Sequence, residues 1–252
     1  LAALLGLVIT GVFASCEKQT SKTAHLVTKP PKLRASSGPK EPAPTEAEFY
    51  ASKCDDGDFT ACYDLGLIYD VGRGVTQDYV KSAELYQKAC IGGVFSGCNN
   101  LAIQYDNGQG VEKDHVRAAS LYKKACSSTD PHARKNACFN LGLMYGKGVG
   151  VAQNTTTAAD FYLKACKASS PVGCFNLGLF YEKGKGVSKD LVRARRLYQT
   201  ACDGAYLDGC NNLAMAMLDK SAAAGLLQMT CDKGNARSCA NLARLFRDGN
   251  GV

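Results

Sequence analysis

The sequence predicts an all-α protein, a right-handed α/α superhelical solenoid of helix pairs, and three observations carry that expectation. Segments opening at Cys62, Cys98, Cys138, Cys174, Cys210 and Cys239 restate one pattern, spaced 36, 40, 36, 36 and 29 residues apart, with the sixth stopping at Val252. Apolar residues recur at helical spacing inside each segment. Twelve of the thirteen cysteines fall into six pairs of nearly constant separation. Such a period marks an architecture in which no helix pair buries its apolar face alone, so stability comes from stacking neighbours.

The first helix of each repeat, helix A, opens with Cys62, Leu65, Gly66 and Tyr69; Cys98, Leu101, Ala102 and Tyr105; Cys138, Leu141, Gly142 and Tyr145; or Cys174, Leu177, Gly178 and Tyr181. Cys210, Leu213, Ala214 and Met217, then Cys239, Leu242, Ala243 and Phe246, keep the pattern. These spacings put all four side chains on one helical face. Gly inside a helix costs about 1 kcal/mol relative to Ala, so its use at the fourth offset predicts close approach of another helix. A Gly-x-Gly-Val element follows at 72–75, 108–111, 148–151, 184–187 and 249–252. It follows a helix rather than a strand and recurs, so it reads as a left-handed C-cap and chain reversal rather than a phosphate loop.

Helix B closes on an aromatic four residues before a cysteine: Tyr50/Cys54, Tyr86/Cys90, Tyr122/Cys126, Tyr162/Cys166 and Tyr198/Cys202, with Leu227/Cys231 as the exception. The solenoid is therefore expected over 46–252, with helix A starts at 62, 98, 138, 174, 210 and 239, and the interrupted last repeat implies further chain. Seven residues separate Cys54 from Cys62, Cys90 from Cys98, Cys166 from Cys174, Cys202 from Cys210 and Cys231 from Cys239; eleven separate Cys126 from Cys138. On one continuous helix such residues would stand about 12 Å apart, too far for a disulfide. The Asp-Asp-Gly-Asp at 55–58, Gly-Gly at 92–93 and Asp-Gly at 203–204 supply the turns that bring them together. Zinc prefers cysteines two to four residues apart, so six disulfides are expected and no metal or other cofactor. Each closed loop should contribute about 2 to 3 kcal/mol.

Thirteen cysteines point to an oxidising compartment. Residues 1–15 are uncharged and too short for a permanent membrane helix, which reads as part of a signal peptide whose start is missing. Phe13-Ala14-Ser15-Cys16 is similar to a bacterial lipobox, and Cys16 is the one cysteine without a counterpart, so lipidation of Cys16 is expected; a cut after Ala14 would instead release the protein. The address is then periplasmic or outer-membrane lipoprotein, or secreted. Residues 16–45 read as a basic, Pro- and Ser-containing disordered tether reaching on the order of 30 Å. Most of the formal charge of +7 lies before residue 41, leaving +2 for the rest. The folded part lacks the basic stripe that nucleic acid requires.

The 36-residue period, the Asn-Leu-Gly-x-x-Tyr stretches at 140–145 and 176–181, and the Gly-x-Gly-Val turn resemble the Sel1-like repeat. With the cysteine pairs added, residues 46–252 resemble the Helicobacter cysteine-rich protein family of secreted Sel1 solenoids. Two departures stand out: a longer connection at 127–137, and a repeat at 210–238 that loses seven residues together with its turn. Both predict a local change of curvature. The resemblance implies a penicillin-binding protein with slow β-lactamase activity. The residues supply no familiar mechanism for it. Of the serine β-lactamase set, Ser-Asp-Asn and Lys-Thr-Gly are absent, and Ser-x-x-Lys occurs at Ser15/Lys18, Ser37/Lys40 and Ser120/Lys123. His25, His115 and His132 are scattered, with His132 expected in the long loop, and form no metal-ligand cluster.

A repeated polar position stands just before the buried Leu of helix A: Asp64, Asn100, Asn140, Asn176, Asn212 and Asn241. Helix A is expected on the concave side, where an amide ladder could bind an extended peptide or a glycan. Equally, each Asn could clamp its own helix to the next turn. Two functions stay open: hydrolysis of β-lactams, or a non-enzymatic scaffold holding peptidoglycan fragments or a partner protein.

Overall fold

The computed structural model describes residues 44–249. The expected signal peptide, Cys16, the first two Ser-x-x-Lys matches, His25, nearly all of the tether and positions 250–252 lie outside the described residues. Among the described residues, twelve helices alternate between two layers. Layer B holds α1 (Glu46–Asp55), α3 (Tyr79–Ile91), α5 (His115–Cys126), α7 (Thr155–Lys167), α9 (Leu191–Asp203) and α11 (Lys220–Asp232). Layer A holds α2 (Phe59–Val71), α4 (Phe95–Asn107), α6 (Pro131–Lys147), α8 (Pro171–Lys183), α10 (Leu207–Met215) and α12 (Ala236–Arg247). Each helix packs on its sequence neighbours, which is the nearest-neighbour stacking of a solenoid.

Helix starts are set by caps rather than by the cysteines. Side-chain oxygens of Thr45, Asp58, Asp78, Asp114, Asp130, Asn154, Ser170, Asp190, Asp219 and Asn235 accept from first-turn backbone N–H groups. Layer A helices begin ahead of the positions expected from the repeat, at Phe59, Phe95, Pro131, Pro171, Leu207 and Ala236, four of them behind such a cap and α4 and α10 behind Val94 and Tyr206, whose side chains make no cap bond. The connection at 127–137 is also not a long loop. Asp130 caps and Pro131 starts α6, so the extra residues are wound into it and make it 17 residues long, against 13 in α2, α4 and α8. His132 therefore lies in the first turn of a helix.

All six cysteine pairs are closed, with Cα–Cα separations of 4.5 to 4.8 Å. Each bond ties the end of a B helix to the first turns of the next A helix. Five of the six intervening turns use one left-handed residue, and Gly57, Gly93 and Gly234 supply it in three of them. At 203–204 the turn forms as expected, but its left-handed residue is Ala205, with φ of 61°, rather than Gly204. Ser169 does the same at 62°.

The A–B contact is as tight as the Gly at the fourth offset predicts. A Cβ added at Gly66, Gly142 or Gly178 would meet the ring of Tyr86, Tyr162 or Tyr198 at 2.8, 2.8 and 2.7 Å. These rings are buried and form the spine of the core with Leu65, Leu101, Leu141, Leu177 and Leu213. Layer B cations reinforce it from outside, with Lys81, Arg117 and Arg193 lying over the rings of Tyr69, Tyr105 and Tyr181.

Gly72, Gly108, Gly148 and Gly184 are left-handed C-caps of α2, α4, α6 and α8. The second glycine of the turn works between repeats. A Cβ on Gly110, Gly150 or Gly186 would collide with the backbone of Tyr79, His115 or Thr155, the first residue of the preceding B helix. The following valines, Val111, Val151 and Val187, pack into the same clusters as the B-helix alanines and tyrosines of that preceding repeat. Each turn is thus a lid on the repeat before it.

Candidate functional site

Consecutive A helices touch one another from α4 through α12, whereas consecutive B helices make no comparable contact. Closer spacing in one layer puts that layer on the inner side of the curve, so A helices line the concave face. Asp64, Asn100, Asn140, Asn176, Asn212 and Asn241 are all half-buried there, one per A helix.

Three of the inner-face Asn residues meet the tyrosine of the B helix before them. Asn100 stands beside the hydroxyls of Tyr86 and Tyr63, Asn140 beside Tyr122 and Asn212 beside Tyr198. Burial pushes Tyr162 up to about 12 and raises Tyr86, Tyr122 and Tyr198 likewise, with the neighbouring Asn partly offsetting it in those three. These phenols therefore stay protonated at neutral pH, and the hydroxyl of Tyr86 is buried without a hydrogen-bond partner among the described residues. Asp64 has its carboxyl raised, first by burial and then by the charge of Asp58.

A third member completes the step, and sequence reasoning missed it. One residue after the helix A aromatic comes an acid in three repeats: Asp70, Asp106 and Glu182. The hydroxyl of Tyr198 donates to Glu182 Oε2. Asp106 and Asp70 act on Tyr122 and Tyr86 through their charge. Asp106 Oδ1 also meets His115 Nδ1 at 2.6 Å, and Asp70 Oδ1 accepts from Gln104 Nε2 at 3.2 Å. The inner face thus repeats an acid, a phenol and an amide: Asp70, Tyr86 and Asn100; Asp106, Tyr122 and Asn140; Glu182, Tyr198 and Asn212.

The third repeat has Gly146 in the acid position, and there Asn176 turns back to donate to Val172 O at 2.8 Å. In the fifth, Leu218 and Leu227 replace acid and phenol, and Asn241 donates to Asn211 Oδ1 at 2.9 Å. Where the acid is missing, the amide is a structural clamp. Elsewhere the carbonyls of Asn100 and Asn212 accept from Asn99 and Asn211 at 3.2 and 3.1 Å, which turns their amide N–H groups to the side of Tyr86 and Tyr198.

Two concavities occupy equivalent places on this face. One of about 270 Å³ holds Asp106, His115, Tyr122 and Asn140. The other, about 420 Å³, holds Glu182, Leu191, Arg195, Tyr198 and Asn212, together with Met215 and Leu218. Ser120 and Lys123 are exposed on α5. Among the described residues, no three His, Cys, Asp or Glu side chains gather in a way that could hold a metal ion, and no helix is long and apolar enough to cross a membrane.

The Sel1 repeat family matches residues 60–94, 96–130, 135–170 and 171–206. Among solved structures, c5321, a protective antigen of uropathogenic Escherichia coli strains, is 27% identical with a TM-score of 0.76, covering 82% of this chain and 45% of its own. The chain thus spans less than half of that protein. A Sel1 repeat protein from Oxalobacter formigenes is 24% identical with a TM-score of 0.71, covering 80% of this chain and 83% of its own. Helicobacter pylori cysteine rich protein B is 30% identical over 50% of this chain and 87% of its own, with a TM-score of 0.40. None of the curated proteins matches. Repeat length, inner-face helix pattern, glycine turns and the family match agree, and the chain belongs to the Sel1 repeat family, as a cysteine-rich, disulfide-bonded member.

Proposed function

We propose that the protein is an exported, non-enzymatic docking scaffold that holds an extended peptide of a partner protein, or of cell-wall material, along its inner face. The observation that carries this reading is the recurrence of the acid, phenol and amide step at the spacing of the repeats. Recurring neutral donors suit the recurring carbonyls of an extended backbone, and a solenoid presents them in a row. Six disulfides fit export, since such bonds persist in oxidising compartments. A disulfide in every repeat supports the narrower kinship with the Helicobacter cysteine-rich proteins, and lipidation at Cys16 would tether the scaffold to the envelope.

Hydrolysis of β-lactams would need an activated nucleophile facing oxyanion donors in a water-excluding site. The buried tyrosines are held protonated, and Ser120 with Lys123 stands in solvent. The test is retention of a randomised octapeptide pool on the immobilised oxidised protein, run beside turnover of a chromogenic cephalosporin. Saturable retention that falls on Asn100→Ala, Asn140→Ala or Asn212→Ala, without turnover, is expected. Sustained turnover abolished by Ser120→Ala would overturn the scaffold in favour of the enzyme.

A further inference from the structure

The lost turn of the fifth repeat changes the repeat before it. In the first three full repeats, the next repeat's Gly-x-Gly-Val lid covers the start of the B helix, and Tyr79, His115 and Thr155 are half-buried under it. The chain between α10 and α11 has no such element, and the equivalent residue, Leu191, is 59% exposed. Val187 packs on Ala158, Ala159 and Tyr162 of α7; α9 offers the matching Ala194 and Tyr198 but receives no valine from α10–α11. The larger of the two inner-face concavities, about 420 Å³, lies at that place.

A second, independent substitution coincides with the first. The small residue packed in the lidded clusters is Ala83, Ala119 or Ala159, each buried; the same place in the fourth repeat is Arg195. Among the described residues, no carboxylate lies within ion-pair reach of its guanidinium. Leu191 and Arg195 are four apart on α9, so they stand on one face about 6 Å from each other. Asn212, its carbonyl engaged by Asn211, adds N–H donors, while Glu182 already accepts from Tyr198. Arg195 and Asn212 supply donors, Glu182 is turned to Tyr198 and makes no ion pair with Arg195, and the wall of Leu191, Val192, Met215 and Leu218 is aliphatic, with Leu218 89% exposed.

We propose that this concavity, uncovered by the loss of one glycine turn, is a subsite for the C-terminus of a partner polypeptide ending in an aliphatic residue. The aliphatic side chain takes the position that valine holds under the other lids, the terminal carboxylate pairs with Arg195, and the last peptide carbonyl accepts from Asn212. One residue supplies both groups because side chain and terminal carboxylate leave the same Cα, matching the short separation of Leu191 and Arg195. The volume suits a chain end, being near the low end for ligand sites.

This assignment rests on the peptide-docking reading, and the experiment separates the two. Octapeptides randomised at six positions, with a fixed seventh and ending in Val or Leu, are passed over the oxidised protein as free acids and as C-terminal amides. Free acids should be retained, with the amides weaker by about tenfold, the scale of one charge-assisted hydrogen bond. Arg195→Gln should erase that difference, and Leu191→Asp should abolish retention with an unchanged circular dichroism spectrum, since both side chains are exposed. Equal retention of acids and amides, unaltered by either substitution but lost on Asn140→Ala, would overturn the subsite and leave the groove. No retention of any peptide would overturn both.

Discussion

The repeats spanning α2 to α9 and the segment α10 to α12 use one plan with opposite outcomes at their edges. In the first, every B helix carries a buried tyrosine, every A helix ends in a left-handed glycine, and each turn from the second onward seals its predecessor. In the second, α10 has 9 residues, the tyrosine becomes Leu227, and the turn is gone. A solenoid tolerates this because each repeat contacts only its neighbours, so a deletion is felt one repeat away and no further. Its cost falls on α9, and its product is a concavity of about 420 Å³, against about 270 Å³ at the equivalent place beside α5.

The comparison is broken hardest through the disulfides. Cys126 and Cys138 lie inside the largest packed cluster, whereas Cys231 and Cys239 staple the last described helix pair and are half-buried. Replacing both members of the inner pair by Ala should cost about 2 to 3 kcal/mol of stability by urea unfolding. Replacing Cys231 and Cys239 should instead loosen α11 and α12 locally, seen as faster hydrogen exchange there with a smaller shift of the main transition. Equal shifts of the main transition would mean that the end is not a separate cooperative unit.

Next comes the spine. Gly178 lies against the ring of Tyr198, where an added Cβ would stand at 2.7 Å, so Gly178→Ala should destabilise by about 1 to 3 kcal/mol through overpacking. At Ala214, whose layer B partner in α11 is Leu227, the reciprocal change Ala214→Gly should cost about 1 kcal/mol through backbone entropy and lost packing. Thermal melts of the two variants give the ranking. A harmless Gly178→Ala would show that the ring can shift, and that the glycine is not there to admit it.

Much of this was legible in the order of residues, because spacing encodes a helical face and a repeated cysteine pair encodes closure. Helix type, layer order, the A–B close approach and the six disulfides all followed from offsets within the repeat. The starts of the A helices did not, since capping by Asp58, Asp130 or Ser170 overrides the visible repeat boundary. Nor did the acid of the inner-face step. Asp70, Asp106 and Glu182 share an offset, but two of the five full repeats lack it, and a solvated acid at a helix end is common enough to hide it. Arg195 would have emerged from aligning B helices against Ala83, Ala119 and Ala159 and asking what covers each.

The buried phenols give the comparison a pH signature. A folded-state pKa raised above the unfolded value of about 10 means that the native state holds its proton more tightly. The stability this confers is complete below pH 10 and is lost as pH rises through the folded value, about 12 for Tyr162. Urea midpoints should therefore fall above pH 10, with Tyr162→Phe reducing the slope, while exchange in α11 and α12, which carry Leu227 in that place, should lack this dependence.

The smallest effect tests backbone strain at the repeat junctions. Gly57, Gly93 and Gly234 take positive φ without cost, but Ala205 adopts 61° with a Cβ that crowds the neighbouring carbonyl. Ala205→Gly should stabilise by a few tenths to about 1 kcal/mol, the relief exceeding the entropy gained by the unfolded chain. Because Ala205 joins α9 to α10, this gain belongs to the boundary between the regular and the shortened repeats, and a melt should show it as a higher midpoint. A lower midpoint would mean that the disulfide from Cys202 to Cys210 already fixes the turn so firmly that glycine adds only freedom to the unfolded state.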